Sequence, residues 1–131
     1  MIVLDASAVF ELILNTEAGR RVAGEIASPD ISLHAPSLLD LEVVQALRRY
    51  VQRGTLSLGR ARRALDDYLL LDVERHGHED LLTRIWSLRE NLTAYDAVYV
   101  VLAEALDARL LTRDAKLAST PGHQARIRLI D

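Results

Sequence analysis

A three-layer α/β/α fold around a largely parallel sheet is predicted by three features of the sequence. Short, continuous apolar runs have strand length, stretches of helical periodicity separate them, and prolines and glycines are scattered as turn markers rather than gathered into linkers. Ile2, Val3 and Leu4 form the first such run, ending at Asp5, and the helical stretch Ser7 to Leu14 follows directly. A second helix is expected over Glu17 to Ala27. Beyond Ser28, Pro29 and Asp30, an extended segment around Ser32 to Ala35 leads to Pro36. Ser37 to about Arg53 reads as a helix stopped by Gly54. Its partner begins after Thr55 to Ser57 and carries Ala61, Ala64, Leu65, Tyr68 and Leu69 at helical spacing, so the two should form a hairpin. Leu71 to Arg75 alternates like a strand, Glu79 to Glu90 reads as a helix, and Thr93 opens a strongly apolar helix reaching about Leu106. Arg109 to Thr112 is the next strand, Asp114 to Ala118 a short helix, and Ile127 to Ile130 the last strand.

The chain has 131 residues, the size of one compact unit, so residues 1–131 are expected to form a single domain. Half of them are hydrophobic, enough to fill a core. Cysteine is absent, which excludes disulfides, thiolate metal sites and thiol nucleophiles, and fits a reducing cytoplasm. The start lacks a basic head before its apolar stretch, and the longest apolar region, Ala94 to Ala103, is too short to span a bilayer. A cytoplasmic protein, neither secreted nor membrane-bound, is therefore expected. A net charge of -3 argues against holding nucleic acid by general attraction, so any such contact must be local. Lys116 is the only lysine, and six arginines lie between Arg48 and Arg63, either as phosphate contacts or as a solvated helix face.

Ligands of parallel sheets bind beyond the carboxyl ends of the strands. Asp5 ends the first strand, and Asp114 follows the strand closed by Leu111 and Thr112, which puts two acids on one edge. Ser7 and Thr112 could orient them by hydrogen bonds. The plain alternative is that Asp5 and Asp114 each cap the helix they precede. On the next helix, Ser37 and Asp40 resemble a capping box, whereas Glu42 has no such explanation. Glu42 shares a face with Leu38, Leu39, Ala46, Arg49 and Arg53, a stripe that runs from apolar to cationic, as along a phosphate chain, or else a surface stripe. Asp96 stands in a helix that is apolar nearly all round, where a lone carboxylate must be paired, protonated or metal-bound, unless Thr93 and Asp96 form a capping box in the first turn.

Together these signals describe one acidic cluster drawn from distant parts of the chain. Two carboxylates about 5 Å apart repel by roughly 3 kcal/mol at an effective dielectric near 20, and a divalent cation is the simplest remedy. Oxygen ligands alone, with no cysteine and no histidines paired at helical spacing, suit Mg²⁺ or Mn²⁺ rather than zinc.

The segments Ile2 to Ala8 (IVLDASA), Pro36 to Arg49 (PSLLDLEVVQALRR), Leu92 to Ala103 (LTAYDAVYVVLA) and Leu110 to Ala118 (LLTRDAKLA) span nearly the whole chain. In order and spacing they resemble the PIN-domain ribonucleases, most closely the VapC-type toxins of bacterial toxin-antitoxin pairs. The resemblance implies that Asp5, Glu42, Asp96 and Asp114 form a metal site, with Ser7 and Thr112 as supporting polar residues. It also implies Mg²⁺-dependent hydrolysis of RNA phosphodiester bonds, leaving a 5′-phosphate and a 3′-hydroxyl. A homodimer and a cognate antitoxin are expected as well. Tyr99 and Lys116 stand near positions where the family often has a further acid, which bears on whether one ion or two is held. Arg49 and Arg53, with Arg113, are the candidates for RNA backbone contacts.

The rival from another class is a catalytically inactive PIN-like module acting through protein contacts, its acids reduced to caps and surface charges. A phospho-acceptor receiver domain needs paired acids after the first strand, but Ala6 follows Asp5, and no glycine-rich phosphate loop follows any strand. His76 and His78, flanking Gly77, are expected in a turn or on the surface, His34 and His123 are isolated in the sequence, and Trp86 is expected in the core.

Overall fold

The computed structural model describes residues 1–131. Its elements in chain order are β1 (Ile2–Leu4), α1 (Ala6–Ile13), α2 (Glu17–Glu25), β2 (Leu33–Pro36), α3 (Leu38–Gln52), α4 (Leu58–Leu70), β3 (Val73–His76), a 3-10 turn (Glu79–Leu81), α5 (Leu82–Ser87), α6 (Ala94–Leu106), β4 (Arg109–Thr112), α7 (Ala115–Ser119) and β5 (Arg126–Leu129). All five strands join one sheet in the order β3-β2-β1-β4-β5, and every neighbouring pair is parallel. From β1 the chain builds outward to β2 and β3, then returns to place β4 and β5 on the other side. The reversal lies between β1 and β4, whose carboxyl ends therefore open the crevice that a parallel sheet offers to ligands.

The central strand accounts for its own unbroken apolar run. Ile2 and Leu4 pack into a core with α1, α2, α3 and α4, through Val9, Val22, Leu39, Val43, Leu47, Ala64 and Tyr68. Val3 points the other way, into a core with α5 and α6. Both faces of β1 are thus covered, and all three of its residues are buried. Helix α6 is buried continuously from Ala97 to Ala103, as its all-round apolar character requires.

Four local expectations are corrected. Ser37 is itself in a helical conformation and makes no side-chain cap; Asp40 instead accepts hydrogen bonds from the Tyr68 hydroxyl at 2.5 Å and from Arg75 Nε at 3.0 Å, tying α3 to α4 and β3. The stretch Glu79 to Glu90 is not one helix but a 3-10 turn and the six-residue α5. Trp86 is 67% exposed, because Ile85 and Leu88 take the inward face of this short helix and Trp86 lies about 100° round from Ile85. The Arg89 guanidinium covers its ring, 4.7 Å from the centroid. His34 is not isolated: parallel pairing of β2 with β3 sets it beside His76, 42 positions along the chain.

The close seating of α2 on α1 generates a test. A Cβ added at Gly19 would come within 2.1 Å of the Glu11 carbonyl oxygen, whereas one at Gly24 meets nothing within 4 Å. Gly19→Ala is expected to lower the stability read from urea unfolding by about 1–3 kcal/mol through overpacking against backbone. Gly24→Ala should leave it unchanged or raise it by up to about 1 kcal/mol. Equal midpoints for the two variants would show that α1 and α2 are not seated this way.

Candidate active site

Asp5 stands at the C-terminal end of β1 and is buried, 6% exposed. Its carboxylate caps α1 by accepting the Ala8 N–H at 3.1 Å on Oδ1, which also takes the Ser7 hydroxyl at 2.6 Å. The other oxygen, Oδ2, accepts the Thr112 hydroxyl at 2.5 Å. Thr112 Oγ1 accepts in turn the Asp114 N–H at 3.0 Å, and Ser7 Oγ accepts the Arg113 N–H at 2.9 Å. Ser7 and Thr112 thus hold β1 and the turn after β4 to one carboxylate. Asp114 caps α7, its Oδ1 accepting the N–H groups of Lys116 and Leu117. The cap and the site are one arrangement here, since both aspartates serve their helices from the end of the sheet where the crevice opens.

Glu42 reaches the same place from α3. Its Oε1 accepts the Tyr99 hydroxyl of α6 at 2.5 Å, a contact that sequence spacing does not reveal because it spans 57 positions. Asp96 lies in the first turn of α6, where Thr93 Oγ1 accepts its N–H at 3.2 Å. Of the two readings of Asp96, the deeply buried one is corrected and the first-turn one holds: burial of α6 begins one residue later, at Ala97, and Asp96 faces solvent. The four carboxylates share one electrostatic neighbourhood. Burial pushes Asp5 above its ordinary value, with the Asp114 charge adding to it, against the hydrogen bonds from Ser7, Thr112 and Ala8. Burial raises Glu42 too, with Asp96 and Asp5 adding and Tyr99 and Arg49 opposing. Partial desolvation and the Asp114 charge raise Asp96.

No three of these acids bring an oxygen apiece within 4.8 Å of one another, so they form an open ring rather than a closed cage. The donors are all carboxylate oxygens, and three of the four are held above their usual range by burial and mutual repulsion. That set fits a hard divalent cation, one that keeps waters between itself and its protein ligands, better than it fits zinc.

Beside the ring runs a cleft of about 860 Å³, lined among others by Ser7, Glu42, Ala46, Arg49, Arg53 and Arg113. The apolar-to-cationic stripe of α3 therefore forms one wall, although Leu39 of that stripe turns into the core. Arg49 and Arg53 make no ion pair. Arg113 is anchored by Glu11 at 3.9 Å and by the Ile130 carbonyl at 3.3 Å. Tyr95 and Leu41, which sequence patterning did not single out, also line the cleft and are largely exposed.

The raised acids fix a pH dependence. A carboxylate whose folded pKa exceeds its unfolded value binds more protons in the native state, so stability falls as pH rises between the two. Glu42→Gln keeps an oxygen to accept from Tyr99 and removes the charge. Without divalent metal it is expected to be more stable than the parent, by a margin that opens as pH rises above the ordinary value of 4.5 and is constant beyond the raised folded pKa. Urea midpoints across pH check this; a margin that shrinks as pH rises would contradict the shift.

The PIN domain family matches residues 2–122. VapC ribonuclease Mb0985 of Mycobacterium bovis is 43% identical over 131 residues, covering 99% of this chain and 98% of that protein. Among solved structures, PAE2754 from Pyrobaculum aerophilum superposes with a TM-score of 0.71 at 24% identity, over 96% of this chain and 81% of that one. VapBC2 from Rickettsia felis, solved bound to a DNA fragment from its promoter, gives a TM-score of 0.69 at 16% identity with both chains fully covered, a likeness of fold. A family match over nearly the whole chain, joined to a relative of equal length at 43% identity, means that the chain belongs to the PIN domain family, among its VapC ribonucleases.

Proposed function

We propose that residues 1–131 form a single PIN domain acting as a divalent-metal-dependent endoribonuclease, the toxin of a pair whose cognate antitoxin neutralises it. The observation that carries this reading is the buried Asp5 carboxylate. Ser7 and Thr112 fix it where β1 and β4 part, inside the ring completed by Glu42, Asp96 and Asp114 and beside an arginine-lined cleft.

Asp5, Glu42, Asp96 and Asp114 would hold Mg²⁺, with Mn²⁺ as a substitute. When bound, such an ion lowers the pKa of a coordinated water and offsets charge developing on the phosphoryl oxygens. The rest of the work belongs to the chain. Hydrogen bonds from Ser7, Thr112 and Ala8 prevent Asp5 from turning away, and Tyr99 holds Glu42 toward the ring. Arg49 and Arg53, free of carboxylate partners, would take the RNA backbone along α3 and so bring the scissile phosphate to an edge that would otherwise repel it. Arg113 lines the same cleft, but its anchoring gives it a positioning role. Hydrolysis at this site would leave a 5′-phosphate and a 3′-hydroxyl.

The antitoxin and a homodimer are proposed from family membership, and the Rickettsia felis neighbour bears the name of such a pair. No helix is long and apolar enough to cross a membrane, and with cysteine absent the proposed location is the cytoplasm. The electrostatic coupling of Asp5, Glu42, Asp96 and Asp114 supports the nuclease reading over the inactive-module alternative, in which these acids would be isolated caps and surface charges.

The deciding experiment is cleavage of structured cellular RNA by antitoxin-free protein with Mg²⁺ or Mn²⁺, with chelator, and with Asp5→Asn and Asp96→Asn. Each substitution should slow cleavage about a hundredfold or more, because several kcal/mol of charge stabilisation go with the ion. Cleavage that persists in chelator or in folded Asp5→Asn would refute metal-dependent hydrolysis at this site. Separately, Arg49→Glu combined with Arg53→Glu should weaken RNA binding and reduce the slope of log affinity against log salt by about 1 to 2. An unchanged slope would remove both residues from the RNA path.

A further inference from the structure

The edge of the sheet farthest from β5 carries a second constellation. His34 of β2 is buried, 4% exposed, and its Nδ1 lies 2.9 Å from His76 Nε2 and 3.4 Å from Glu74 Oε2, both on β3. One ligand atom from each of the three residues falls within 4.8 Å of the other two. Parallel register explains the convergence: His34 stands opposite Glu74 and Pro36 opposite His76, so all three side chains share one face of the sheet. We propose that His34, Glu74 and His76 form a Zn²⁺ site, distinct from the carboxylate ring, that clamps edge strand β3 to β2.

Two observations support it. First, tetrahedral vertices 2.0–2.1 Å from zinc are about 3.3 Å apart. The 3.4 Å separation meets that spacing, and the 2.9 Å contact has to open by only a few tenths of an ångström. Second, the ligand behind the ligand is in place. Ser32 Oγ lies 2.8 Å from His34 Nε2; with the hydroxyl oxygen accepting, the proton sits on Nε2 and the Nδ1 lone pair is left facing His76 and Glu74. Two imidazoles and one carboxylate suit zinc among the common divalent ions, in contrast with the all-oxygen ring. Glu74 is 68% exposed, so water can reach the fourth position.

The clamp also touches the scaffold of the proposed active site. The His76 carbonyl accepts the Ser37 N–H at 2.9 Å, immediately before α3, the helix that carries Glu42. Zinc here would fix the start of that helix through β3. The proposal does not depend on the nuclease reading, since none of its residues belongs to the ring.

The test uses the untagged, full-length chain, stripped with chelator and then saturated with Mg²⁺. Calorimetric titration with Zn²⁺ should find one equivalent per chain, with a rise in thermal midpoint, and Co²⁺ in its place should give the intense visible absorption of tetrahedral cobalt. Glu74→Gln and His76→Gln should lose the cobalt band and weaken zinc binding at least about a hundredfold, while Ser32→Ala weakens it about tenfold. Asp96→Asn should leave it unchanged. Glu74 is largely exposed, so its variant is expected to fold, which circular dichroism checks. No binding, binding unchanged in folded Glu74→Gln and His76→Gln, or binding lost in Asp96→Asn would each overturn the proposal.

Discussion

One buried carboxylate organises this molecule. Asp5 ends the central strand, starts the first helix and receives hydroxyl hydrogen bonds from both sides of the β1–β4 joint. A charged group in that position costs several kcal/mol of desolvation unless its lone pairs are engaged, so Ser7 and Thr112 support the fold and the proposed chemistry at once. The hydrogen bonds lower the carboxylate's proton affinity and burial raises it; burial wins. The residual strain lies in the electrostatics, where the proposed divalent ion would act.

Around Asp5, helix termini lessen the cost of gathering acids. Asp5 and Asp114 cap α1 and α7, and Asp96 lies in the first turn of α6. Each is an end at which unpaired N–H groups and the helix dipole favour negative charge. Burial raises Glu42 and Asp96, and the neighbouring acids add to it, so this compensation is partial. Complete compensation would leave less for a metal to gain by binding.

What the sequence made legible was whatever local pattern determines. Continuous apolar runs located β1 and β4, and short distances along the chain paired Asp5 with Ser7 and Thr112 with Asp114. Aspartate at a strand end was ambiguous between cap and site, and it proved to cap while standing at the ligand edge, so that ambiguity had no single answer. Contacts set by tertiary packing lay outside any window: Tyr99 of α6 on Glu42 of α3 spans 57 positions, and His34 on His76, set by sheet register, spans 42. Trp86 was misplaced for a related reason. Hydrophobicity does not say which of two adjacent residues on a six-residue helix faces inward, and Ile85 took that place.

The two proposed metal sites differ in a way that follows from where the fold puts them. At the carboxyl ends of β1 and β4 the side chains come from turns and helix starts, and an open ring of oxygens suits a hydrated ion that must admit a phosphate. On the β2–β3 edge they come from facing strands, whose register places imidazoles at fixed separations, which suits an ion with short, directional bonds. The first arrangement leaves room for a substrate, and the second spends its coordination on two strands. Because β3 is joined to α3 by the Ser37 N–H on the His76 carbonyl and by Arg75 Nε on Asp40, rigidity gained at the edge is transmitted to Glu42 through these joints and the helix they hold. A loosened β3 would therefore disturb Glu42 before it disturbed Asp5, whose hydroxyl and N–H partners Ser7, Ala8 and Thr112 lie on α1 and β4.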